Sequence, residues 1–167
     1  VAEADESDGT FTKLPATVAV ATNIDPEHME HYGSFRAVRQ AYYTLLDNLP
    51  FYGFAVLCAD HSETRAMSDQ LRDKRVITYG RDERADIRAT NIRAAGAGQY
   101  FDVVVADWLY EGAQARELSD IFLPMPGAHN VQNACAAVAI GFELGMDDAA
   151  IMRGLGEFSG VKRRFTK

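Results

Sequence analysis

Val18-Ala19-Val20-Ala21-Thr22-Asn23-Ile24-Asp25-Pro26-Glu27-His28-Met29-Glu30-His31-Tyr32 joins an apolar run to an amphipathic one. Its first four residues form a short run of the kind a buried parallel strand shows, and Pro26 favours helix initiation just after it. Asn23 and His28 then fall at the carboxyl end of a strand, where open α/β sheets bind ligands. The stretch reads as a strand tip that delivers a histidine.

Downstream, Ser34 is placed to cap a helix whose apolar positions Phe35, Val38, Tyr42, Leu45 and Leu46 follow the helical period, and Asn48-Leu49-Pro50 ends it. Phe54 to Ala59 reads as a second buried strand, Ser62 to Leu71 as a helix, and Arg75 to Gly80 as a third strand. Strand, helix, strand, helix, strand is the α/β pattern of a mainly parallel sheet. After Gly80 the pattern changes. Asp86 to Arg93 alternates, Gly96-Ala97-Gly98 turns, Tyr100 to Trp108 is rich in strand formers, and Glu111-Gly112 turns again before Arg116 to Leu123. Three short strands with short turns predict a small antiparallel meander added to the parallel sheet, with Arg88, Arg93 and Arg116 on its solvated face. Pro124 to Asn130 is a glycine-containing turn into a helix carrying Val131, Cys135, Val138 and Phe142 on one face. Gly145 closes that helix and Asp147 caps a short final one.

Composition narrows the function classes. The chain has 167 residues, 47% hydrophobic and 25% charged, which suits one domain with a proper core. A formal charge of -7 argues against an extended footprint for nucleic acid or anionic membrane. Cys58 and Cys135 each sit inside an apolar segment and read as small buried hydrophobes, the usage of a reducing cytoplasm. No apolar run approaches the roughly 20 residues of a membrane span, and no signal segment opens the chain, so the expected setting is cytoplasmic. The chain begins as though on the last residues of a strand, so it is expected to be a piece of a longer protein.

Three further features carry chemistry. Glu3, Asp5, Glu6 and Asp8 crowd four carboxylates into six residues. Such a loop is either simply solvated or a cation site, and Glu3, nearest the strand end, is best placed for a magnesium ion that takes one or two carboxylates. His129, Asn130 and Asn133 cluster at a helix start, where backbone donors favour anionic or polar ligands; Asn130 alone also reads as a cap. The final residues, Lys162-Arg163-Arg164-Phe165-Thr166-Lys167, are either a solvated tail or a phosphate-binding arm.

Five motifs together resemble the central domain of the Mur ligases. They are Glu3-Ala4-Asp5-Glu6-Ser7-Asp8, Asn23-Ile24 with Glu27-His28-Met29-Glu30, Leu49-Pro50-Phe51-Tyr52-Gly53, Pro126-Gly127-Ala128-His129-Asn130-Val131-Gln132-Asn133, and Gly160-Val161-Lys162-Arg163-Arg164-Phe165. They stand in the family's order and approximate spacing across essentially the whole chain. On that resemblance, residues 1–160 are the central domain without its first part, and 161–167 begin a linker to a third domain.

The resemblance implies an ATP-dependent amide-forming ligase of peptidoglycan synthesis that works through an acyl phosphate. Two anions must meet in such a reaction, so magnesium and cationic side chains must offset their repulsion. It implies Glu3 and His28 as magnesium ligands and catalytic residues, with Asn23 supporting them. It implies Asn130 and Asn133, with His129 beside them, at the adenine, and Arg164 at the nucleotide phosphates. A histidine ligand must be neutral, so metal binding there is expected to weaken in acid. His31 takes no role from the resemblance and reads as a surface histidine.

Two departures refine it. The family's Gly-Lys-Thr phosphate loop is not in this sequence and is expected upstream of Val1, so the chain alone is expected to be inactive as a ligase. Several sister ligases carry a modified lysine beyond the histidine, whereas no lysine occurs here between His28 and Lys74. That favours the branch joining L-alanine to UDP-N-acetylmuramate, with the relative that recycles a murein tripeptide as the alternative. An inert folded fragment, or a metal-dependent phosphohydrolase built on the acidic loop and His28, would also fit part of the pattern. The phosphohydrolase explains neither the helix start nor the basic end.

Overall fold

The computed structural model describes residues 1–109, 116–158 and Gly160. The strands are β1 (Val18–Ala21), β2 (Phe54–Cys58), β3 (Arg75–Gly80), β4 (Ile87–Ala95), β5 (Gly98–Val105) and β6 (Arg116–Leu123), and they lie in one six-stranded sheet in chain order. β1 pairs with β2, and β3 with β4, in parallel; β4, β5 and β6 pair antiparallel. The expected mixture of parallel sheet and meander is therefore present, with the meander as large as the parallel part. The helices are α1 (Met29–Tyr32), α2 (Phe35–Asp47), α3 (Ser62–Ser68), α4 (Ala128–Glu143) and α5 (Asp148–Gly156). None of the described helices is long and apolar enough to cross a membrane. The chain divides into two compact units, Val1–Thr78 and Tyr79–Lys167.

In the first unit, every residue of β2 is buried, as its unbroken apolar run predicts for a strand covered on both faces. β1 differs from the expectation of a fully buried strand. Ala19 and Ala21 are buried while Val20 is 44% exposed. The alanine face joins a cluster with Val38 and Leu46 of α2, Leu57 of β2, and Met67 and Leu71, so helix packing covers only that face. Each fully buried side chain of this size contributes about 1.5–3 kcal/mol. Ser34 caps α2 as expected, its hydroxyl accepting the Ala37 amide at 3.3 Å. Pro26 does not start a helix directly, because α1 begins only at Met29, after His28 has turned into the left-handed region at φ 52°.

In the second unit, β5 is the middle strand of the meander, and α4 and α5 pack on β4 and β6. Phe101, Val103, Val105, Ile121 and Leu123 are buried on the strands, and Val131, Cys135 and Val138 on α4. Cys58, of the first unit, and Cys135 are both buried, as expected. Asp147 caps α5 through the Ala150 amide at 2.7 Å. Arg88, Arg93 and Arg116 are half-buried rather than on an open solvated face. Arg93 pairs with Asp102 and Asp120, and Arg116 with Asp148, because carboxylates from neighbouring strands and from α5 stand opposite them.

Candidate functional site

The segment leaving β1 is fixed from both sides. Ile24 is 1% exposed and anchors it in the core. Around that anchor, the Thr22 hydroxyl donates to Asn23 Oδ1 at 2.7 Å, and Asn23 Nδ2 donates to Asp25 Oδ2 at 2.6 Å. His61, just after β2, stands with Nε2 3.3 Å from Asp25 Oδ1. Its Nδ1 is buried without a hydrogen-bond partner among the described residues. Since Nδ1 finds no acceptor, the arrangement suits the tautomer with its proton on Nε2, donating to Asp25.

His28 follows at the carboxyl end of β1, with Nδ1 3.8 Å from Glu30 Oε1. One ligand atom each from Glu6, Glu27 and His28 lie within 4.8 Å of one another. Two carboxylates this close repel, and a cation between them removes the repulsion. A magnesium ion about 2.1 Å from each donor would hold adjacent donors of its octahedron about 3 Å apart and opposite ones about 4 Å, so the side chains would close in on it, and carboxylate oxygens are the donors it prefers. The donor set fits a divalent cation. Glu3 is exposed and lies outside this group.

The rest of the acidic loop is engaged in its own turns. Asp5 accepts the Ser7 amide at 2.8 Å, and Asp8 accepts the Thr10 amide at 2.9 Å and its hydroxyl at 2.6 Å. These bonds to the ionised forms hold both carboxyls below the usual carboxylate range. The Tyr32 hydroxyl donates to the backbone carbonyl of Glu6 at 2.5 Å. His31 is exposed, its ring meeting the edge of Tyr32 at 4.8 Å between centroids.

At the start of α4, in the second unit, Gly127 occupies the cap position at φ 101°. A Cβ there would lie 2.8 Å from His129 Cε1, so the glycine is what lets the His129 ring fold back over the turn. Asn130 does not cap the helix; its Nδ2 donates to the Pro126 carbonyl at 2.7 Å. Asn130 and Asn133 line the polar end of an otherwise apolar cavity of about 430 Å³ between α4 and α5, walled by Ile140, Met146, Ile151 and Leu155. His129 and Asn133 are exposed. Arg164 lies outside the described residues, as does the rest of 161–167.

Sequence reasoning missed Glu6 and Glu27 as companions of His28. Glu6 was one of four carboxylates in the loop, of which the sequence favoured Glu3, and only the folded loop brings Glu6 to the histidine. It also missed Gln99, 5% exposed, whose Nε2 donates to the carbonyls of Met125 at 2.8 Å and Gly127 at 2.9 Å and so holds the turn into α4. A glutamine at a buried position of a strand was the signal available for it.

Comparison with known proteins gives this geometry a setting. The chain is 57% identical over 166 residues to UDP-N-acetylmuramate--L-alanine ligase of Mesorhizobium japonicum, covering 99% of the chain and 35% of that protein. It is 55% identical to the protein of the same name from Brucella ovis, with the same coverage. The chain thus spans about a third of the length of these curated relatives. Among solved structures, the UDP-N-acetylmuramate-alanine ligase from Thermotoga maritima superposes with a TM-score of 0.77 at 30% identity, over 98% of this chain and 34% of that one. The UDP-N-acetylmuramate:L-alanyl-gamma-D-glutamyl-meso-diaminopimelate ligase from Neisseria meningitides has a TM-score of 0.73 over 96% of this chain and 48% of that one, and at 23% identity shares the fold alone. The model of the Mur ligase middle domain matches residues 1–141, and the chain belongs to that family.

Proposed function

We propose that this chain is the ATP-handling middle part of a cytoplasmic ligase that joins L-alanine to UDP-N-acetylmuramate through an acyl phosphate, with ATP and magnesium as cofactors. The observation that carries this reading is the gathering of His28 with Glu6 and Glu27 just beyond the carboxyl end of β1. It gains support from relatives of 55–57% identity that bear that activity's name. A bound divalent cation supplies charge neutralisation where a carboxylate meets a phosphate. The chain's own residues supply the rest. His28, in its neutral form, and a carboxylate of the acidic loop hold the ion, while the bonds among Thr22, Asn23, Asp25 and His61 stiffen the segment that leads to the histidine.

Glu3 stays proposed as a ligand from the same loop, beside Glu6, with Asn23 as support. In the second unit, Asn130 and Asn133 are proposed to read the adenine, with His129 beside them. Arg164 is proposed to reach the phosphates. Asn133 is the better test of the adenine reading, because Asn130 Nδ2 is already engaged with Pro126.

The decisive experiment measures ADP release by the full-length protein with UDP-N-acetylmuramate and L-alanine. Release that requires both substrates and magnesium, and is lost in His28→Ala with the fold retained, is the expected result. Release driven equally well by a murein tripeptide would move the reading to the recycling ligase, and near-normal turnover of His28→Ala would remove the histidine from the site.

A further inference from the structure

We infer that Tyr32 is a positioning residue for the cation site at His28, because its hydroxyl ties the acidic loop to the turn that carries the histidine. The inference rests on the proposed reading of that site as a divalent-cation site. Tyr32 lies one helical turn beyond His28, and its amide donates to the His28 carbonyl at 3.1 Å. Its hydroxyl, at the other end of the ring, donates to the Glu6 carbonyl at 2.5 Å. One rigid side chain therefore links Glu6 to the turn at His28, two residues 22 positions apart in the sequence.

The bond goes to the backbone of Glu6 and not to its carboxylate. The loop is held without using up a ligand oxygen, so the Glu6 carboxylate stays available to Glu27 and His28. This matters because the carboxylates of Glu6 and Glu27 repel whenever no cation is present, and the loop would otherwise move away.

The loop's own shape fits the tyrosine. The Gly9 amide donates to the same Glu6 carbonyl at 3.3 Å, closing the turn that lies on the ring. Gly9 has φ 72°, and a Cβ there would stand 3.2 Å from His31 Nε2 and 3.6 Å from the Tyr32 hydroxyl oxygen. A side chain at this position would be strained by the positive φ and would press on the exposed His31 ring, while meeting Tyr32 only in ordinary contact.

Manganese titrated into the full chain, with the free ion read by electron paramagnetic resonance, tests this without requiring turnover. Tyr32→Phe removes only the hydroxyl, and is expected to keep the wild-type circular dichroism while weakening manganese binding about tenfold, the size of effect seen when the support of a ligand is lost. His28→Ala is expected to weaken it at least as much. Should Tyr32→Phe fail to fold, Gly9→Ala carries the same expectation, by straining the turn whose Glu6 carbonyl the Tyr32 hydroxyl holds. Manganese binding by Tyr32→Phe within about twofold of wild type, with His28→Ala impaired, overturns the role of Tyr32 and leaves the cation reading standing. Unchanged binding in both variants, or no binding by the wild type, overturns the cation reading and the role of Tyr32 with it.

Discussion

Asp102 on β5 accepts the backbone amide of Asp120 on β6 at 2.8 Å, and across the other edge of β5 it accepts Asn91 Nδ2 of β4 at 2.7 Å. Both partners sit where the ladder slips: the register shifts between Thr90 and Arg93 and between Phe101 and Val103. Asn91 at φ 48° and Asp120 at φ 59° are two of the three non-glycine residues with positive φ among those described. A single carboxylate, 7% exposed, thus clamps a bulge in each neighbouring strand.

Replacing Asp102 with Ala should therefore cost about 2–3 kcal/mol, since it leaves the Asp120 amide and the Arg93 charge without their buried partner. Equilibrium urea unfolding measures the loss. The amide of Asp120, together with Asn91 and Arg93, holds the Asp102 carboxyl below the usual carboxylate range. A folded-state pKa below the unfolded value contributes stability that is complete above the unfolded pKa of about 3.9 and disappears as pH falls through the folded value. Asp102→Asn should accordingly show a shallower loss of stability than wild type below about pH 4. Parallel curves in acid would refute the clamp.

Gln99 holds the turn into α4 by two bonds from one amide nitrogen. Gln99→Leu should leave the carbonyls of Met125 and Gly127 without that donor, at a cost of about 1–3 kcal/mol. Hydrogen exchange of the first α4 amides should speed up in step. A melting point and exchange rates equal to wild type would show that the turn is held by other means.

Gly98 opens β5 with the site of a Cβ only 2.5 Å from the Leu123 carbonyl oxygen and 3.0 Å from Pro124 Cα. Backbone cannot yield there as a side chain would. Gly98→Ala should lower stability by about 1–3 kcal/mol, read as a lower urea midpoint at unchanged slope. An unaltered midpoint would mean that the β5 and β6 backbones separate easily at this end.

The carboxylates near His28 can be ranked by manganese affinity. Glu6→Gln and Glu27→Gln each replace a charged oxygen donor of the three-residue group by a neutral one and should weaken binding about tenfold. Glu3, which is exposed outside the group, should matter less in the chain studied without nucleotide. A larger loss in Glu3→Gln than in Glu6→Gln would make Glu3 the loop's ligand.

Much of this architecture is legible in the sequence because it follows from local chemistry. The unbroken apolar run Phe54–Cys58 became the fully buried β2, and Ser34 before the periodic stretch Phe35–Leu46 became the capped start of α2. The bulges beside Asp102 were not legible, since an asparagine or aspartate at positive φ is fixed by a partner on another strand rather than by its own neighbours. The half-burial of Arg93 and Arg116 was missed for the same reason: the aspartates that pair with them come from other strands and from α5.

By itself, then, the sequence determined the kinds of element and their order, together with the strand tip that presents His28, because side-chain periodicity and backbone preference act over a few residues. Only the tertiary structure decided which of four carboxylates meets that histidine. Glu6 stands there while Glu3 does not, and this depends on a loop folded back over 22 residues and held to Tyr32 by one hydrogen bond. Distances across such a closure are set by packing between elements, to which local preferences are blind.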